Sequence, residues 1–418
     1  MATITSYSAP SKGGKKGILW EVRYRTPDRK QTRKRGFRTK KEAEDFAATT
    51  HVSKLRGEYI DPAEARITVG ELGPAWLARQ THLKPSSERT AEVAWRVHVE
   101  PRWRDARLSD LRRSDIQQWI SDMGQEETDA EGLVTKAGSG PVTVIRAYGV
   151  LAAILDEAVG DRRLLTNPAR GVKLPRKDKK AHAYLTHRQV HDLAAEAGDK
   201  GVIVLVLAYT GLRWGELAGL HVADLDLLRR RVNVSRNAVN VGGVVKVGTP
   251  KTHELRSVAL PRFLVELLAE ACRGKDHADI LFPATAGGYA KSPGANTWFS
   301  GAVDRCVAAS AEARAKERKR RPKAEPTTPV FPRITPHGLR HTAASLAVQS
   351  GANVKAVQRM LGHASATMTL DTYADLFDTD LEDVADAMDA AVSKAIRVGP
   401  KRVQNEENGT LGNSESAV

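Results

Sequence analysis

The first 62 residues change from an alternating pattern of apolar and charged side chains to a helical one. From Trp20 to Arg25 apolar and charged positions take turns, which is the period-2 pattern of a strand with one buried face. The segment TPDRK then predicts a turn and QTRKRGF a further strand. Thr39 before KKEAEDFAATTHVSKL predicts a helix with a threonine N-cap. We therefore predict a small sheet backed by one helix over residues 18–62, after a flexible basic stretch at 1–17.

Helical spacing replaces this alternation over residues 66–168. Thr68 is a candidate cap for a helix that contains Leu72 and Trp76, and PVTVIRAYGVLAAILDEAVGDRRL has the spacing of a long amphipathic helix. The Gly-rich segment EETDAEGLVTKAGSG before that helix predicts a loop. The region as a whole predicts a small helical bundle. Residues 169–184, rich in Pro, Gly and Lys, predict a linker.

A third and larger region follows at residues 185–398. Strong alternation in RRRVNVSRNAVNVGGVVKVGTPKTHELRSVALP predicts a short antiparallel sheet among helices. One predicted helix begins at Thr335 and Pro336 and ends at Gly351. Another covers ANTWFSGAVDRCVAASAEARAKERK with a fraying end, and the basic segment 311–329 predicts a loop. The chain is therefore predicted to be a multidomain α+β protein with a mainly α third domain and a disordered tail at 399–418.

Composition adds a strong positive charge to this pattern. The net charge is +15 and the sequence pI is about 9.8, which is typical of a protein that binds a polyanion such as nucleic acid or an anionic membrane. Residues 1–60 carry 15 Lys or Arg against 6 Asp or Glu, so this segment is the most basic per residue. Eight cations are candidate DNA contacts, five on the predicted strands and three in the linker: Arg23, Arg25, Arg33, Lys34, Arg35, Lys177, Lys179 and Lys180. The alternative for the strand cations is a solvated sheet edge.

Several classes of protein do not fit the sequence. No segment approaches the roughly 18 continuous apolar residues of a membrane span. The start MATITSYSAPSKGGKK lacks the apolar core of a signal peptide. Cys272 and Cys306 are too few for a disulfide framework. We expect a reduced protein of the cytoplasm.

The segment TPHGLRHTAASL concentrates candidate chemistry at a predicted helix start. His337 and His341 have the i,i+4 spacing of two metal ligands, but the segment lacks the glutamate of H-E-x-x-H and Arg340 would repel a cation. His337 and Arg340, one turn apart near a helix N-terminus, suit an anion better. His341 is predicted to pack or to support its neighbours.

Three further residues suit phosphate chemistry, and each has a structural alternative. Arg213 follows a Gly turn in YTGLRWGE, where Glu216 is its alternative partner. Lys251 lies on a predicted turn between strands, where a lysine is commonly solvated. Tyr373 is a possible nucleophile if cations surround it, and the alternative is a packed tyrosine.

Six separated positions together resemble the tyrosine recombinases in order and context. They are Arg213 in TGLRWGEL, Lys251 in TPKTHELRSVAL, His337 and Arg340 in HGLRHT, His363 in LGH, and Tyr373 ten residues later. This resemblance covers about residues 180–390. The order of a basic β-rich unit, a helical unit and a larger domain resembles the arm-binding phage integrases of the lambda-integrase type. By that resemblance 18–62 would bind arm-type DNA sites, 66–168 would bind the core site and 185–398 would be catalytic.

The resemblance implies DNA strand cleavage with no cofactor and no metal. Tyr373 would attack a phosphodiester and leave a 3′-phosphotyrosyl link with a free 5′-hydroxyl. Arg213 and Arg340 would hold the nonbridging oxygens, and His363 would donate a hydrogen bond to the phosphate. The covalent link conserves the bond energy, so ligation would need no external energy source.

Two proton-transfer roles and the partners are also implied by the resemblance. His337 would assist proton transfer at the nucleophile, and Lys251 would protonate the leaving 5′-oxygen. Four copies would assemble on double-stranded attachment sites in a bacterial cytoplasm, in association with the nucleoid. A host DNA-bending protein and an excisionase are candidate accessory partners. The alternatives are a chromosome-dimer-resolving recombinase, a type IB topoisomerase and a catalytically inactive DNA-binding regulator.

The predicted C-terminal helix, 380–398, has an apolar stripe. The stripe comprises Leu381, Val384, Ala385, Met388 and Val392. Two interpretations are open: packing within the chain, or docking on a neighbouring copy.

Overall fold

A computed structural model describes residues 2–10, 16–27, 29–129, 134–177, 182–249, 255–376 and 380–397. The chain divides into two compact units. One comprises Met1–Lys180 with Asn240–Val244, and the other comprises Ala181–Val239 with Val245–Val418. None of the helices in these described ranges is both long and apolar enough to cross a bilayer.

The N-terminal residues form an antiparallel three-stranded sheet with one helix against it. Its elements are β1 (Thr3–Pro10), β2 (Lys16–Arg25), β3 (Gln31–Phe37) and α1 (Lys40–Leu55). Val22 and Tyr24 are buried with Ala43 of α1, and Thr39 caps the helix by accepting a hydrogen bond from the Glu42 amide. The predicted strands, turn and helix are therefore confirmed.

The expectation of a flexible stretch over 1–17 is wrong for β1. This strand pairs with β2 along its length, from Thr3 opposite Arg23 to Pro10 opposite Lys16. Its sequence TITSYS is rich in residues that favour strands, but Ile4 and Tyr7 are its only large side chains and they do not alternate. The ordering comes from pairing with a distant strand, which local composition does not reveal.

A helical region follows the sheet. Its elements are α2 (Val69–Ala78), α3 (Pro85–Ala94), α4 (Glu100–Trp103), α5 (Arg113–Gly124), β4 (Glu127–Thr128), β5 (Val134–Lys136) and α6 (Pro141–Gly160). A π-helical turn, Trp95–Val99, joins α3 to α4. Thr68 and Glu71 form a capping box at the start of α2, as predicted for Thr68. The segment predicted as a loop before α6 instead contains the paired strands β4 and β5.

The bundle core is built from four tryptophans and α6. Trp76, Trp95, Trp103 and Trp119 are each at least 90% buried, and they pack around the buried face of α6. The amphipathic spacing read from PVTVIRAYGVLAAILDEAVGDRRL is confirmed.

The remaining elements extend from residue 187 to residue 397. They are α7 (His187–Glu196), α8 (Gly201–Thr210), α9 (Trp214–Ala218), β6 (Leu225–Asp226), β7 (Arg231–Val234), β8 (Asn237–Val241), β9 (Val244–Gly248), β10 (Arg256–Ala259), α10 (Arg262–Cys272), α11 (Trp298–Arg320), α12 (Pro336–Gln349), α13 (Val354–Leu361), α14 (Ala366–Tyr373) and α15 (Asp380–Arg397). Single 3₁₀ turns lie at Glu64–Arg66, Leu108–Asp110, Gly198–Lys200, Val222–Asp224 and Ala374–Leu376. The strands form an antiparallel sheet in the order β6-β7-β10 and a separate pair β8-β9.

Helix α8 is the centre of the second unit. Its side chains are buried on nearly all faces, and it packs against α7 and α12. The start of α12 is as predicted, because Thr335 accepts a hydrogen bond from the Gly338 amide and Pro336 is the first helical residue. The mixed α+β class and the mainly helical third region are confirmed.

The helix predicted over ANTWFSGAVDRCVAASAEARAKERK is observed as α11, which continues to Arg320. The loop expected over 311–329 is therefore helical over its first half. In α15 the side chains of Met388 and Val392 are 65% and 56% exposed, whereas those of Leu381 and Val384 lie outside the described residues.

Candidate active site

Five of the six predicted catalytic residues come together at the ends of four short segments. Arg213 is the N-cap of α9, His337 and Arg340 lie in the first turns of α12, His363 follows the end of α13, and Tyr373 ends α14. Chain turns at helix ends thus bring side chains from distant parts of the sequence to one place. Lys251 lies outside the described residues.

Arg340 is 2% exposed and links two helix C-termini. Its guanidinium donates to the carbonyl oxygen of Gly211 at 2.5 Å and to that of Leu361 at 2.7 Å. These carbonyls close α8 and α13, where the negative end of each helix dipole favours a cation. Arginine has five N–H donors, so three remain for another ligand. Burial and the nearby charge of Arg213 lower the pKa of Arg340, which still leaves it protonated at neutral pH.

Arg213 is held by a buried carboxylate, which is the structural alternative named for it. Glu216 is 1% exposed and accepts from Arg213 Nη1 at 2.8 Å and from the Arg213 amide at 2.9 Å. The same carboxylate accepts from Arg256 Nη1 at 2.9 Å and Nη2 at 2.5 Å. Burial alone would raise the pKa of Glu216, but the ion pairs with Arg256 and Arg213 hold it below its usual value. One carboxylate between two arginines leaves the group with a net positive charge.

The hydroxyl of Tyr373 bonds to His341, not to His337. The side chain of Tyr373 is 1% exposed, so this tyrosine is packed, as its structural alternative supposed. His341 Nδ1 lies 2.8 Å from the Tyr373 hydroxyl oxygen. The ring of His182 stacks on that of His341, with 3.9 Å between centroids and 26° between planes.

The pKa values of this pair favour a neutral hydrogen bond. Burial raises the pKa of Tyr373 to about 12, although the positive charges of Arg340 and Arg213 act in the opposite direction. Burial, followed by the positive charge of His182, lowers the pKa of His341 to about 4. A neutral imidazole can accept the tyrosine proton at Nδ1, with its own proton on Nε2.

His337 and His363 flank this pair on different segments. The ring centroid of His337 is 5.0 Å from that of His341, and His337 lines a cavity of about 590 Å³ with Trp214 and the first turn of α11. His363 bonds to Thr369 Oγ1 at 3.0 Å, and its ring is parallel to that of Tyr373 at 6.4 Å. Partial burial and then Arg340 lower the pKa of both histidines, to about 4 for His363.

The metal interpretation of the two histidines has little support from this geometry. His337 and His341 meet edge to face at 87°, and the Nδ1 atom of His341 already bonds to Tyr373. Within the described ranges no three His, Cys, Asp or Glu side chains are grouped to hold an ion.

The predicted DNA contacts of the N-terminal sheet divide between its two faces. The register of β2 and β3 places four of these cations on one face of the sheet: Arg23, Arg25, Arg33 and Arg35. Arg23 lies directly opposite Arg33. Arg23 and Arg35 both bond to the buried carboxylate of Glu21, at 2.7 and 2.6 Å. Lys34 lies on the other face, with its ammonium 4.6 Å from the ring of Phe46.

The linker candidates are only partly described. Lys177 is exposed, whereas Lys179 and Lys180 lie outside the described residues.

Sequence reasoning missed three contributors to the site. Arg256 stands five residues after Lys251 in TPKTHELRSVAL but was not chosen, because a strand arginine looks like a solvated one. His341 was assigned to packing, although its position one turn after His337 was the available signal. His182 carries no motif, and only its stacking on His341 identifies it.

The chain is similar to known proteins in sequence and in fold. Residues 183–380 match the phage integrase family, and residues 11–52 match an arm DNA-binding domain. The integrase of Mycobacterium phage D29 is 24% identical over 351 residues, which cover 80% of this chain and 84% of that protein. The tyrosine recombinase XerC of Bifidobacterium longum is 30% identical over 198 residues, 46% of each chain. The fold is similar to that of the Tn1549 transposon integrase in complex with a circular intermediate DNA, with a TM-score of 0.57, 23% identity, and coverage of 76% of this chain and 99% of that one.

Proposed function

Because the chain carries a phage integrase family domain over residues 183–380, we propose that it is a site-specific DNA recombinase. It cuts and rejoins DNA strands and so integrates and excises a phage or another mobile element. Its substrate is double-stranded DNA at paired attachment sites in the cytoplasm of a bacterial host.

The observation that carries this proposal is the cationic surrounding of Tyr373. Arg213, Arg340 and Arg256 converge with two histidines, and Glu216 is the single carboxylate that bonds to these arginines among the described residues. A phosphodiester in its transition state gains negative charge on the nonbridging oxygens, which such a group stabilises. The N–H donors of Arg340 that the protein does not use fit that role.

The chemical step is a transesterification. The Tyr373 hydroxyl oxygen forms a bond to phosphorus while the bond from phosphorus to the 5′-oxygen breaks. The tyrosine gives up a proton, and the leaving oxygen gains one from Lys251, which the resemblance assigns to that role. The 3′-phosphotyrosyl link then reacts with the 5′-hydroxyl of another strand, which regenerates Tyr373 and restores the same number of phosphodiester bonds.

We assign the first proton acceptor to His341, whose Nδ1 atom already contacts the tyrosine hydroxyl. A phenol whose pKa is about 12 is a weak nucleophile at neutral pH, so a base in contact with it is needed. His337, next to His341, would receive or relay that proton. Because Tyr373 is buried, α14 has to shift for the hydroxyl to reach a phosphate.

The partners beyond core-site DNA are part of the same proposal. The match of residues 11–52 to an arm DNA-binding domain supports binding of separate arm sites and favours an integrase over a chromosome-dimer resolvase. We expect four copies on two DNA sites, with a host DNA-bending protein and an excisionase as accessory partners.

The test is covalent attachment to DNA. Full-length protein is incubated in EDTA with duplexes from the DNA that flanks its gene, and covalent complexes are resolved on a denaturing gel. We expect Tyr373→Phe to abolish the complex while DNA binding is retained. Tyr209→Phe is the control, because Tyr209 also bonds to a histidine, at 2.9 Å, but lies on α8. Normal attachment by the Tyr373 variant would disprove the nucleophile, and loss of attachment in EDTA alone would restore the metal hypothesis.

A further inference from the structure

The second half of α11 leaves the protein core and carries a dense positive charge. All four buried residues of this helix lie between Phe299 and Cys306. From residue 311 onward the helix has no buried residue, and its last three residues are Arg318, Lys319 and Arg320. We call residues 311–329 the basic arm.

The basic arm is a fixed structure, because its return segment is bonded to the helix. The Glu317 carboxylate accepts hydrogen bonds from the amides of Thr327 at 2.6 Å and Thr328 at 3.3 Å. Arg314 Nη1 donates to the Thr328 carbonyl at 2.6 Å, and Ser310 Oγ donates to the Pro329 carbonyl at 2.9 Å. These bonds use the arm's inner polar groups and join its return segment to the helix.

Most outer side chains of the arm are cations without acidic partners. Glu317 bonds to the two threonines, and Glu312 pairs with Lys316 at 2.7 Å. The third carboxylate of the arm, Glu325, is exposed and forms no ion pair with another described residue. Five exposed cations remain that form no ion pair with another described residue: Arg318, Lys319, Arg320, Arg321 and Lys323. Like charges so close together repel one another unless an anion compensates them.

The length of α11 indicates where that anion would be. Its first turn lines the cavity next to His337, and Arg320 is about 20 residues further along. At about 1.5 Å per residue the cations are roughly 30 Å from that cavity, which corresponds to about nine base pairs of B-form DNA at roughly 3.4 Å each. The arm is thus long enough to reach DNA well beyond the phosphate that Tyr373 attacks.

We propose that the basic arm is an additional DNA-contact surface, which binds phosphates of duplex DNA about 30 Å from the scissile phosphate. This rests on the proposed recombinase function. The cations at the end of the helix contact phosphates of the DNA backbone, and the DNA loses condensed counterions when they do so. These phosphate contacts add affinity but carry no sequence information.

The test compares two full-length variants that lose the same charge. Arg318→Gln, Lys319→Gln and Arg320→Gln are combined in the arm variant, because Gln keeps the helix propensity. Arg188→Gln, Arg229→Gln and Arg273→Gln form the control, because each of these exposed arginines already has an acidic partner on its own segment. Binding to a 40-base-pair duplex of arbitrary sequence is measured by fluorescence anisotropy at several salt concentrations.

The salt dependence of DNA binding distinguishes the arm variant from the control variant. Each phosphate contact contributes about 0.9 to the slope of log K against log salt, so we expect the arm variant to lose up to about 2.7 from that slope. Its affinity near 0.1 M salt should fall roughly tenfold or more, whereas the control should stay within about threefold of the unmodified protein. The double substitution Arg318→Lys and Arg320→Lys should retain the slope, because it keeps the charge.

Three results would overturn the proposal. Equal slopes for the arm and control variants would show that the arm does not contact DNA, while covalent attachment by Tyr373 would still support the recombinase. Unchanged DNA binding together with weaker self-association in sedimentation would assign the arm to an acidic protein surface. No duplex binding by the unmodified protein would refute the recombinase and the arm together.

Discussion

At the scale of single residues, the contact between Tyr373 and His341 is the basis for the proposed activation of Tyr373 as a nucleophile. A buried phenol with a pKa of about 12 holds its proton firmly, and only a neutral acceptor within hydrogen-bond distance can take it. His341 is such an acceptor at neutral pH, because burial lowers its pKa and keeps the imidazole uncharged, and its Nδ1 atom is 2.8 Å away. The residue that was predicted to pack or to support its neighbours is therefore in direct contact with the proposed nucleophile.

We predict that His341→Gln slows covalent attachment by a factor of about 10² to 10⁴, the usual range for a general base. Gln can hold the tyrosine hydroxyl but cannot take its proton, so DNA affinity should not change. His187→Gln is the matched control, because His187 Nδ1 also bonds to a tyrosine hydroxyl, that of Tyr209 at 2.9 Å. Single-turnover attachment rates measure the effect. Similar rates for His341→Gln and the unmodified protein would remove His341 from the proton transfer.

The same histidines predict how stability depends on pH. Burial lowers the pKa of His341 and His363 to about 4 in the folded chain, against 6.5 for an ordinary histidine. Between these values the unfolded chain binds more protons, so stability rises with pH and is lost as pH falls from about 6.5 toward 4. We expect the melting temperature to fall between pH 7 and pH 5 and the fall to be smaller in the double variant His341→Gln, His363→Gln. The control is the double variant His187→Gln, His191→Gln, whose melting temperature should fall as much as that of the unmodified protein. An equally large fall in the His341→Gln, His363→Gln variant would show that these two histidines do not cause the pH dependence.

At the scale of elements, Arg340 depends on two helix ends that meet. Gly211 ends α8 with a φ of 67°, in the left-handed region that favours glycine. A Cβ atom at this position would lie 2.6 Å from Leu361 Cδ2, so there is also no space for one. The carbonyls of Gly211 and Leu361 both accept from Arg340, which means that this junction fixes the arginine.

We predict that Gly211→Ala destabilises the chain by about 1–3 kcal/mol, because the backbone is strained and Leu361 is displaced. Attachment to DNA should fall as well, since the carbonyls that hold Arg340 move. Gly149→Ala is the control: it lies on the exposed side of α6 with nothing within 4 Å of the added carbon, and should stabilise by about 0.5–1 kcal/mol. Chemical denaturation measures both. Equal stability of the two variants would show that the junction tolerates a side chain.

The elements also show what a sequence can and cannot predict. The caps Thr39, Thr68 and Thr335 act over three residues, so local pattern was enough to place their helices. Strand β1 depends on pairing with β2, and its few strand-favouring residues without an apolar alternation were too weak a local signal. The helix predicted over ANTWFSGAVDRCVAASAEARAKERK reaches Lys319, one residue short of the observed end of α11, because Ala, Arg, Lys and Glu favour helices. The contacts of His341, Arg256 and His182 require the fold, because their partners lie far away in the sequence.

At the scale of the whole molecule, two kinds of DNA contact are assigned to different parts of the chain. Residues 1–60 carry a net charge of +9. The cations of this segment that lie on the face of the sheet with Glu21 are arginines of β2 and β3. Glu21 holds Arg23 and Arg35, which leaves Arg25 and Arg33 as exposed cations on that face without an ion pair to a described residue. Tyr373 and its surrounding arginines belong to the second unit. Arm-site binding and strand cleavage should therefore be separable by substitution.

We predict that the double substitution Arg25→Gln, Arg33→Gln weakens binding to arm sites. In a footprint on the DNA flanking the gene, the protein concentration required to protect these sites should rise roughly tenfold. Protection of the core site and covalent attachment to a short core duplex should change by less than about twofold, because the substitutions leave residues 66–168, which we expect to bind the core site, and the second unit unchanged. Lys34→Gln with Lys41→Gln is the control, since it removes the same charge from residues outside that face: Lys34 lies over Phe46, and Lys41 is on α1. If the control weakened arm protection as much as the test variant, general charge and not the sheet face would bind the arm sites. If core attachment fell together with arm protection, the two parts of the chain would not act separately on DNA.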